Sequence, residues 1–481
     1  MSMEMMAGKN RINIFIAMEI ILIGLIMSLP TGSIYGIPLK IVLLAASIIA
    51  FCIYKPKNII KLVVVCIIVF SATALWLAIG MSFWGRLAIR EFQMIFVPIL
   101  VSLTAFFVMK KNAKALLYLI AAFVFFCFLV KFFTCLFFYF GIRDFDGVFS
   151  AYVSVFGAPF VGLVINNHLM RVFLSSDMAV AMVPLFILIS RGNASKKLLI
   201  SIFVMSAFTV FVGYSRSVWG VYALSCLIFF GMSVRKNGWI AIIAPIATVT
   251  FLQLVTSSYV YDGASHAFSR VASHNNDDIS VSQVIAEGND TSANPGAENT
   301  IAEAPNVIEM PSVKEENKAS EKNNEIDNKN IEGQVDREDL DNSIFYQRFL
   351  KFNNELSDGI RAQQASALWG LFLQHPVLGV GLGGYDVNLI RSATEPYSYE
   401  LQLFSLLPKL GIVGSLILTG FIVWCFIVLG RDQRYIGMLV LAMFLVAGML
   451  NPYLFSSSAS LVYLFMMREV VMAYKREPKN A

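Results

Sequence analysis

The chain has 481 residues, 57% of them hydrophobic and only 14% charged, with a net charge of +5. Soluble domains carry about a quarter charged residues, so the deficit excludes an ordinary globular protein and is too large for one anchor helix. The few charges crowd into a handful of segments, and no nucleic-acid partner is expected.

Runs of the roughly 20 apolar residues that cross the hydrocarbon core start near Ile12, Ile37, Ile59, Phe92, Ala115, Phe173, Leu198, Val218, Trp239, Leu410, Tyr435 and Ser457. The polar stretch Met1 to Arg11 leads into the first of them without a cleavage site, so it reads as the start of a helix and not as a signal peptide. Lys and Arg in short connections mark the cytoplasmic side. They occupy every second connection: Lys9 and Arg11, then Lys55, Lys57 and Lys61, then Lys110, Lys111 and Lys114. The pattern continues through Arg191, Lys196 and Lys197, then Arg235 and Lys236, then Arg431 and Arg434, to Lys475, Arg476 and Lys479. The expected fold is an all-α polytopic transmembrane bundle of about 12 spans with both termini cytoplasmic. Residues 1–256 carry spans 1–9, 257–396 form a large external loop, and 397–481 carry spans 10–12 and a cytoplasmic tail.

Within that loop, residues 273–342 hold 17 acidic residues against 5 basic ones and few aromatics. Such a composition cannot bury enough apolar surface to offset its ordering entropy, so a disordered acidic spacer is expected, with a partner-binding segment as the other use. From 343 to 396 the apolar residues Phe345, Phe349, Phe352, Leu356 and Ile360, then Leu368, Trp369 and Phe372, recur at helical steps, which predicts amphipathic surface helices. The external segment Gly141 to Arg171 is apolar with Gly and Pro breaks and reads as partly re-entrant. All six cysteines lie in apolar runs, and His168, His266, His274 and His375 lack ligand spacing, so neither a disulfide framework nor a metal site is expected.

Arginines on the external side break the charge rule. Arg86 and Arg90 share one helical face, Arg216 ends the seventh span, and Arg348, Arg361 and Arg391 sit in the large loop. A guanidinium fork suits phosphate oxygens; the competing use is snorkelling or pairing with acids such as Glu91, Asp144 or Asp146. Glu19, Lys40 and Lys131 are ionisable residues within spans. Lys40 lies close enough to a span end to snorkel, and each of the three is a candidate mark of an ion path.

After the acidic segment, residues 368–385 read LWGLFLQHPVLGVGLGGY and residues 395–414 read EPYSYELQLFSLLPKLGIVG. With the loop position, the span count and the Ser215–Arg216 pair, this resembles the signature of the O-antigen ligase and O-antigen polymerase superfamily. Sharp motif matches cover about fifty residues. The resemblance implies a glycosyltransferase on the outer side of the bacterial cytoplasmic membrane, without cofactor or metal, fed by polyprenyl-pyrophosphate-linked oligosaccharides. A chain-length regulator and a flippase are the implied protein partners. The family's ligase members carry a His-Asn pair where this chain has Glu400 and Leu401. That departure leans toward a polymerase of repeat units, with a ligase and a flippase as rivals. On this reading Glu400 and Arg216 are catalytic, while Arg86, Arg90, Arg361, His375 and Glu395 bind substrate. Glu400 would accept the proton of an attacking sugar hydroxyl; its other use is an ion pair with an arginine. For His375, capping a helix end ahead of Pro376 stands beside a part in the chemistry.

Overall fold

The computed structural model describes residues 3–29, 39–54, 56–109, 112–140, 162–166, 169–190, 195–213, 215–233, 238–255, 361–390, 396–450 and 454–475. They belong to one compact unit, Met1–Ser269 with Ser357–Ala481, while a second unit, Arg270–Leu356, holds none of them. The acidic segment 273–342, Arg348, Arg391 and Glu395 therefore lie outside the described residues.

Helices occupy all twelve apolar runs: α1 Met3–Ser28, α2 Leu39–Tyr54, α3 Pro56–Trp84, α4 Arg86–Met109, α5 Ala113–Phe140, the pair α6 Asp177–Ala181 and α7 Val183–Ser190, α8 Lys196–Val212, α9 Arg216–Ser233, α10 Ile240–Val255, α12 Gln402–Arg431, α13 Tyr435–Leu450 and α14 Ala459–Tyr474. Helix α11 covers 361–374, where the amphipathic pattern places one. Among the described residues four helices, α3, α4, α5 and α12, are long and apolar enough to cross a membrane, and five more apolar helices are shorter.

Two local features differ from the sequence expectation. At the end of the segment expected to be re-entrant, of which 141–161 lie outside the described residues, Gly162–Asn166 (β1) and Leu169–Phe173 (β2) pair as an antiparallel hairpin, the one sheet among the described residues. The run starting near Phe173 is not one helix; it is broken into α6 and α7 around Met182. Apolarity alone does not separate a strand from a helix over a few residues.

Helices α4 and α5 are inner elements, roughly half buried along their apolar windows, whereas α3 and α12 keep most of their apolar surface outward. Ile60, Ile68, Leu416, Ile417 and Phe421 are all about three-fifths exposed or more, as expected of faces turned to lipid. The interior is aromatic-rich, with Phe15, Phe51, Phe123 and Phe203 fully enclosed and Phe186 stacked on Phe465 at 4.8 Å between α7 and α14.

The ionisable residues inside this core have partners that the sequence does not assign. Lys131 Nζ of α5 donates to Asp177 Oδ2 at 2.8 Å and to the Thr209 carbonyl at 2.6 Å, with both charged side chains at 0% exposure. Gly213 is a glycine for this reason: a Cβ there would lie 2.7 Å from Asp177 Oδ2. Ser47 donates to Glu19 at 2.6 Å. Lys40 does not snorkel; it is 8% exposed and donates to the Ser457 hydroxyl. Removing one partner of a buried ion pair strands the other's charge in a low-dielectric interior, which costs roughly 3–5 kcal/mol, whereas replacing both by apolar residues is often near neutral. Lys131→Met is expected to lower the thermal midpoint of the detergent-solubilised protein sharply, and Lys131→Met/Asp177→Leu to regain most of the loss. An unchanged midpoint in the single variant would refute the internal pair.

Candidate functional site

The segment after α11 is built by backbone exchange. In an uninterrupted helix, the amides of Ile412 and Val413 would donate to the carbonyls of Pro408 and Lys409. They donate instead to Pro376 at 2.8 Å and Val377 at 3.2 Å, and the freed carbonyls of Pro408 and Lys409 accept from Val380 at 2.9 Å and Gly381 at 3.0 Å. Two intrahelical bonds are given up, and four bonds to the HPVLGVG segment replace them. The exchange requires Gly411 to adopt φ +62°, ψ −169° inside α12, a conformation that kinks the helix and that side-chain-bearing residues avoid.

Helix α3 closes the other side. The Leu382 amide donates to the Trp76 carbonyl at 3.0 Å, and Trp76 Nε1 donates to the carbonyls of Leu378 and Leu410 at 3.1 and 2.9 Å. Gly381 has φ +79°, and a Cβ there would lie 2.2 Å from the Gly80 nitrogen. The glycine run is thus a backbone wedge between α3 and the kink of α12.

At its tip sits a buried ion pair. Glu91 Oε1 of α4 meets Lys409 Nζ of α12 at 2.5 Å, with side-chain exposures of 5% and 2%. Glu91 Oε2 accepts the Gly383 amide, and Lys409 also donates to the Tyr397 carbonyl at 2.9 Å. Neither residue is a site candidate on sequence grounds, and Glu91 is bound to Lys409 rather than to the neighbouring Arg86 or Arg90. The available signal was Lys409, an ammonium isolated in an apolar helical run; the arginines beside Glu91 masked the need of its carboxylate for another partner.

The predicted residues are distributed around this wedge. Arg86 and Arg90 open α4 and are exposed; the turn carrying Arg86 abuts the wedge, because a Cβ on Gly383 would lie 2.5 Å from the Ala88 nitrogen. Arg361 Nε donates to Glu400 Oε2 at 3.1 Å, with exposures of 33% and 22%. Gln364, one turn along α11 from Arg361, accepts the Glu400 amide through Oε1 at 3.0 Å. His375 ends α11, its amide donating to the Phe372 carbonyl at 3.1 Å, and its ring lines a cleft beside Phe83. Arg216 begins α9, three residues after Gly213, the glycine that abuts the Lys131–Asp177 pair; its side chain, like Glu395, lies outside the described residues.

Beside Glu400, Tyr399 is 1% exposed and its hydroxyl accepts the Asp386 amide at 2.8 Å. Burial pushes this phenol up to about 12, partly offset by the Asp386 amide. It therefore stays protonated through the physiological range and ties the Glu400 turn to residues 380–388. Among the described residues no group of His, Cys, Asp or Glu has the arrangement of a metal site.

Residues 201–419 match the protein-family model described as O-antigen ligase, Wzy_C. The match supports the O-antigen ligase/polymerase superfamily. It spans α8 to the kinked first half of α12 and includes the whole wedge. No curated protein and no solved structure matches the chain significantly.

Gly381→Ala is expected to lower the thermal midpoint and to make 375–400 susceptible to protease, since a left-handed conformation alone costs a side-chain-bearing residue about 1–2 kcal/mol before the clash with Gly80. Gly370→Ala, where a Cβ meets nothing within 4 Å, is the matched control and should do neither. Equal behaviour of the two variants would contradict the wedge.

Proposed function

We propose that this membrane protein, whose match over 201–419 supports the O-antigen ligase/polymerase superfamily, polymerises lipid-linked oligosaccharide repeat units of O-antigen, capsule or exopolysaccharide type. The observation that carries the reading is Glu400: a partly exposed carboxylate that accepts from the Arg361 guanidinium and whose backbone amide donates to Gln364. It stands where the family's ligase members have a histidine.

In the proposed reaction an acceptor sugar hydroxyl attacks the anomeric carbon of a glycan carried on polyprenyl pyrophosphate. The new glycosidic bond forms as the bond to the pyrophosphate oxygen breaks. The hydroxyl proton passes to Glu400, and Arg361 holds the carboxylate toward the open side. The pyrophosphate leaves with the bonding electrons, and Arg86, Arg90 and Arg216 take up its charge, as preorganised cations do for developing anions. Pyrophosphate is already an activated leaving group, so the reading calls for neither metal nor cofactor. His375 and Glu395 belong to the substrate-binding side.

The same reading puts about twelve crossings in the bacterial cytoplasmic membrane, both termini in the cytoplasm, and the wedge and large loop outside, where a flippase would deliver substrate and a chain-length regulator would act. The family's description as O-antigen ligase favours a second reading, transfer of a finished glycan to a lipid or protein acceptor. Both use one site and differ only in the acceptor.

Surface glycans of the native host, compared between wild type, Glu400→Gln and Arg216→Ala at matched expression, test it. The expected outcome for both variants is glycan capped at a single repeat unit. Long polymers retained on the carrier lipid would establish ligation instead, and normal surface polymers would remove both residues from the site.

A further inference from the structure

Between the C-terminal end of α3, the end of α11 and the turn 384–388 lies a cleft of about 310 Å³, lined by Phe83, Trp84, His375, Tyr385, Asp386 and Asn388 among others. Its volume is at the small end of ligand sites, about 300–1,000 Å³, and suits a ring-sized ligand rather than a whole repeat unit. Its walls are aromatic and fixed. Trp84 Nε1 donates to the Val380 carbonyl at 3.1 Å, which commits the indole's polar edge and leaves its ring as wall, and the Tyr385 ring lies 4.9 Å from it at 47°.

The polar lining is equally defined. The Asp386 amide is held by Tyr399, and Asp386 Oδ1 accepts the Asn388 amide at 2.8 Å. Among the described residues, no hydrogen bond engages the other Asp386 oxygen, the Tyr385 hydroxyl, or the side chains of Gln374, His375 and Asn388. The cleft thus combines aromatic surface with a rim of unengaged donors and acceptors, and its lining contains neither Lys nor Arg. A pyrophosphate would meet a carboxylate and no cation there, and an acyl chain would strip water from that rim without replacing its hydrogen bonds. A pyranose fits both halves. Its C–H face is weakly positive and packs on the negative face of an aromatic ring, and its hydroxyls donate and accept around the edge.

We propose that this cleft is a sugar-ring subsite that holds the glycan next to the reacting groups. The inference rests on the polymerase reading for its place in the reaction, but its ligand chemistry is independent of that reading. Continuity supports the assignment: Tyr399, which directly precedes Glu400, accepts the Asp386 amide, and Trp84 lies two positions from Arg86. Because the backbone wedge fixes the lining before any ligand arrives, little ordering cost attaches to binding.

The test uses the full chain in lipid nanodiscs, with free oligosaccharide released from the host's own surface glycan by mild acid as the probe. Saturable binding is read by ligand-observed saturation-transfer NMR. Wild type is expected to bind. Tyr385→Ala, Asn388→Ala and Asp386→Ala should each weaken binding about tenfold, the scale of one hydrogen bond to a charged group, with thermal midpoints near wild type; Asp386→Asn should regain part of the loss. In a polymerisation assay the same variants should raise the KM for the acceptor and leave kcat nearly unchanged. Binding unaltered by all three substitutions, or no binding by wild type, overturns the subsite even if Glu400→Gln abolishes polymerisation. Loss of binding in the variants, with surface glycan indifferent to Glu400→Gln, upholds the subsite and overturns the catalytic reading instead.

Discussion

The arrangement of this end of the molecule depends on one buried ion pair, Glu91–Lys409, and the backbone it holds together. Glu91 lies in the second turn of α4, and Lys409 lies two residues before the α12 kink at Gly411. In a nearly water-free setting each charge is tolerable only with the other present. Glu91 also accepts the Gly383 amide and Lys409 also donates to the Tyr397 carbonyl, with the Tyr397 ring 5.7 Å from the ammonium. One pair thereby joins α4, α12 and both flanks of the loop that links α11 to α12.

The described residues of that loop are tied to their surroundings by backbone hydrogen bonds, although they contain no regular secondary structure. Hydrocarbon offers no partner to an exposed amide or carbonyl, so non-helical backbone near lipid must find its bonds in protein. Here the kink in α12 supplies them by giving up its own 408–412 and 409–413 bonds and receiving the wedge's in return. The cost of a broken helix becomes the means of anchoring the loop. The half-exposed Glu400–Arg361 pair and the aromatic cleft both ride on that anchored segment, through Tyr399 and Trp84 respectively. On the proposed reading, the base and the sugar subsite gain from sharing one support.

The other intramembrane charges obey the same constraint. Lys131 has Asp177 and the Thr209 carbonyl, Glu19 has Ser47, and Lys40 has Ser457. Each partner lies on another element, so these contacts specify which helices meet rather than where a helix begins. Apolar side chains facing a bundle interior and those facing lipid are alike in composition, which leaves polar contacts and small residues to decide packing.

From the residues alone, the apolar runs locate helical structure, four of whose helices among the described residues are long and apolar enough to cross a membrane, because a length of about 20 apolar residues is a one-dimensional property of the chain. The helical character of 361–374 and its end ahead of Pro376 are legible from periodicity and from the proline. The glycine run is legible as a family resemblance and as permissive backbone, but not as a wedge. Gly379, Gly381 and Gly383 find their reason in Lys409, Gly80 and Ala88, which lie 30 to about 300 positions away in the chain. The pairings of Glu91 with Lys409 and of Lys131 with Asp177 were likewise decided only in three dimensions. An isolated charge in an apolar run declares that it needs a partner, and nothing in its neighbourhood says which one. The hairpin β1–β2 and the division of α6 from α7 escaped for a related cause, since short apolar stretches carry no period that separates strand from helix.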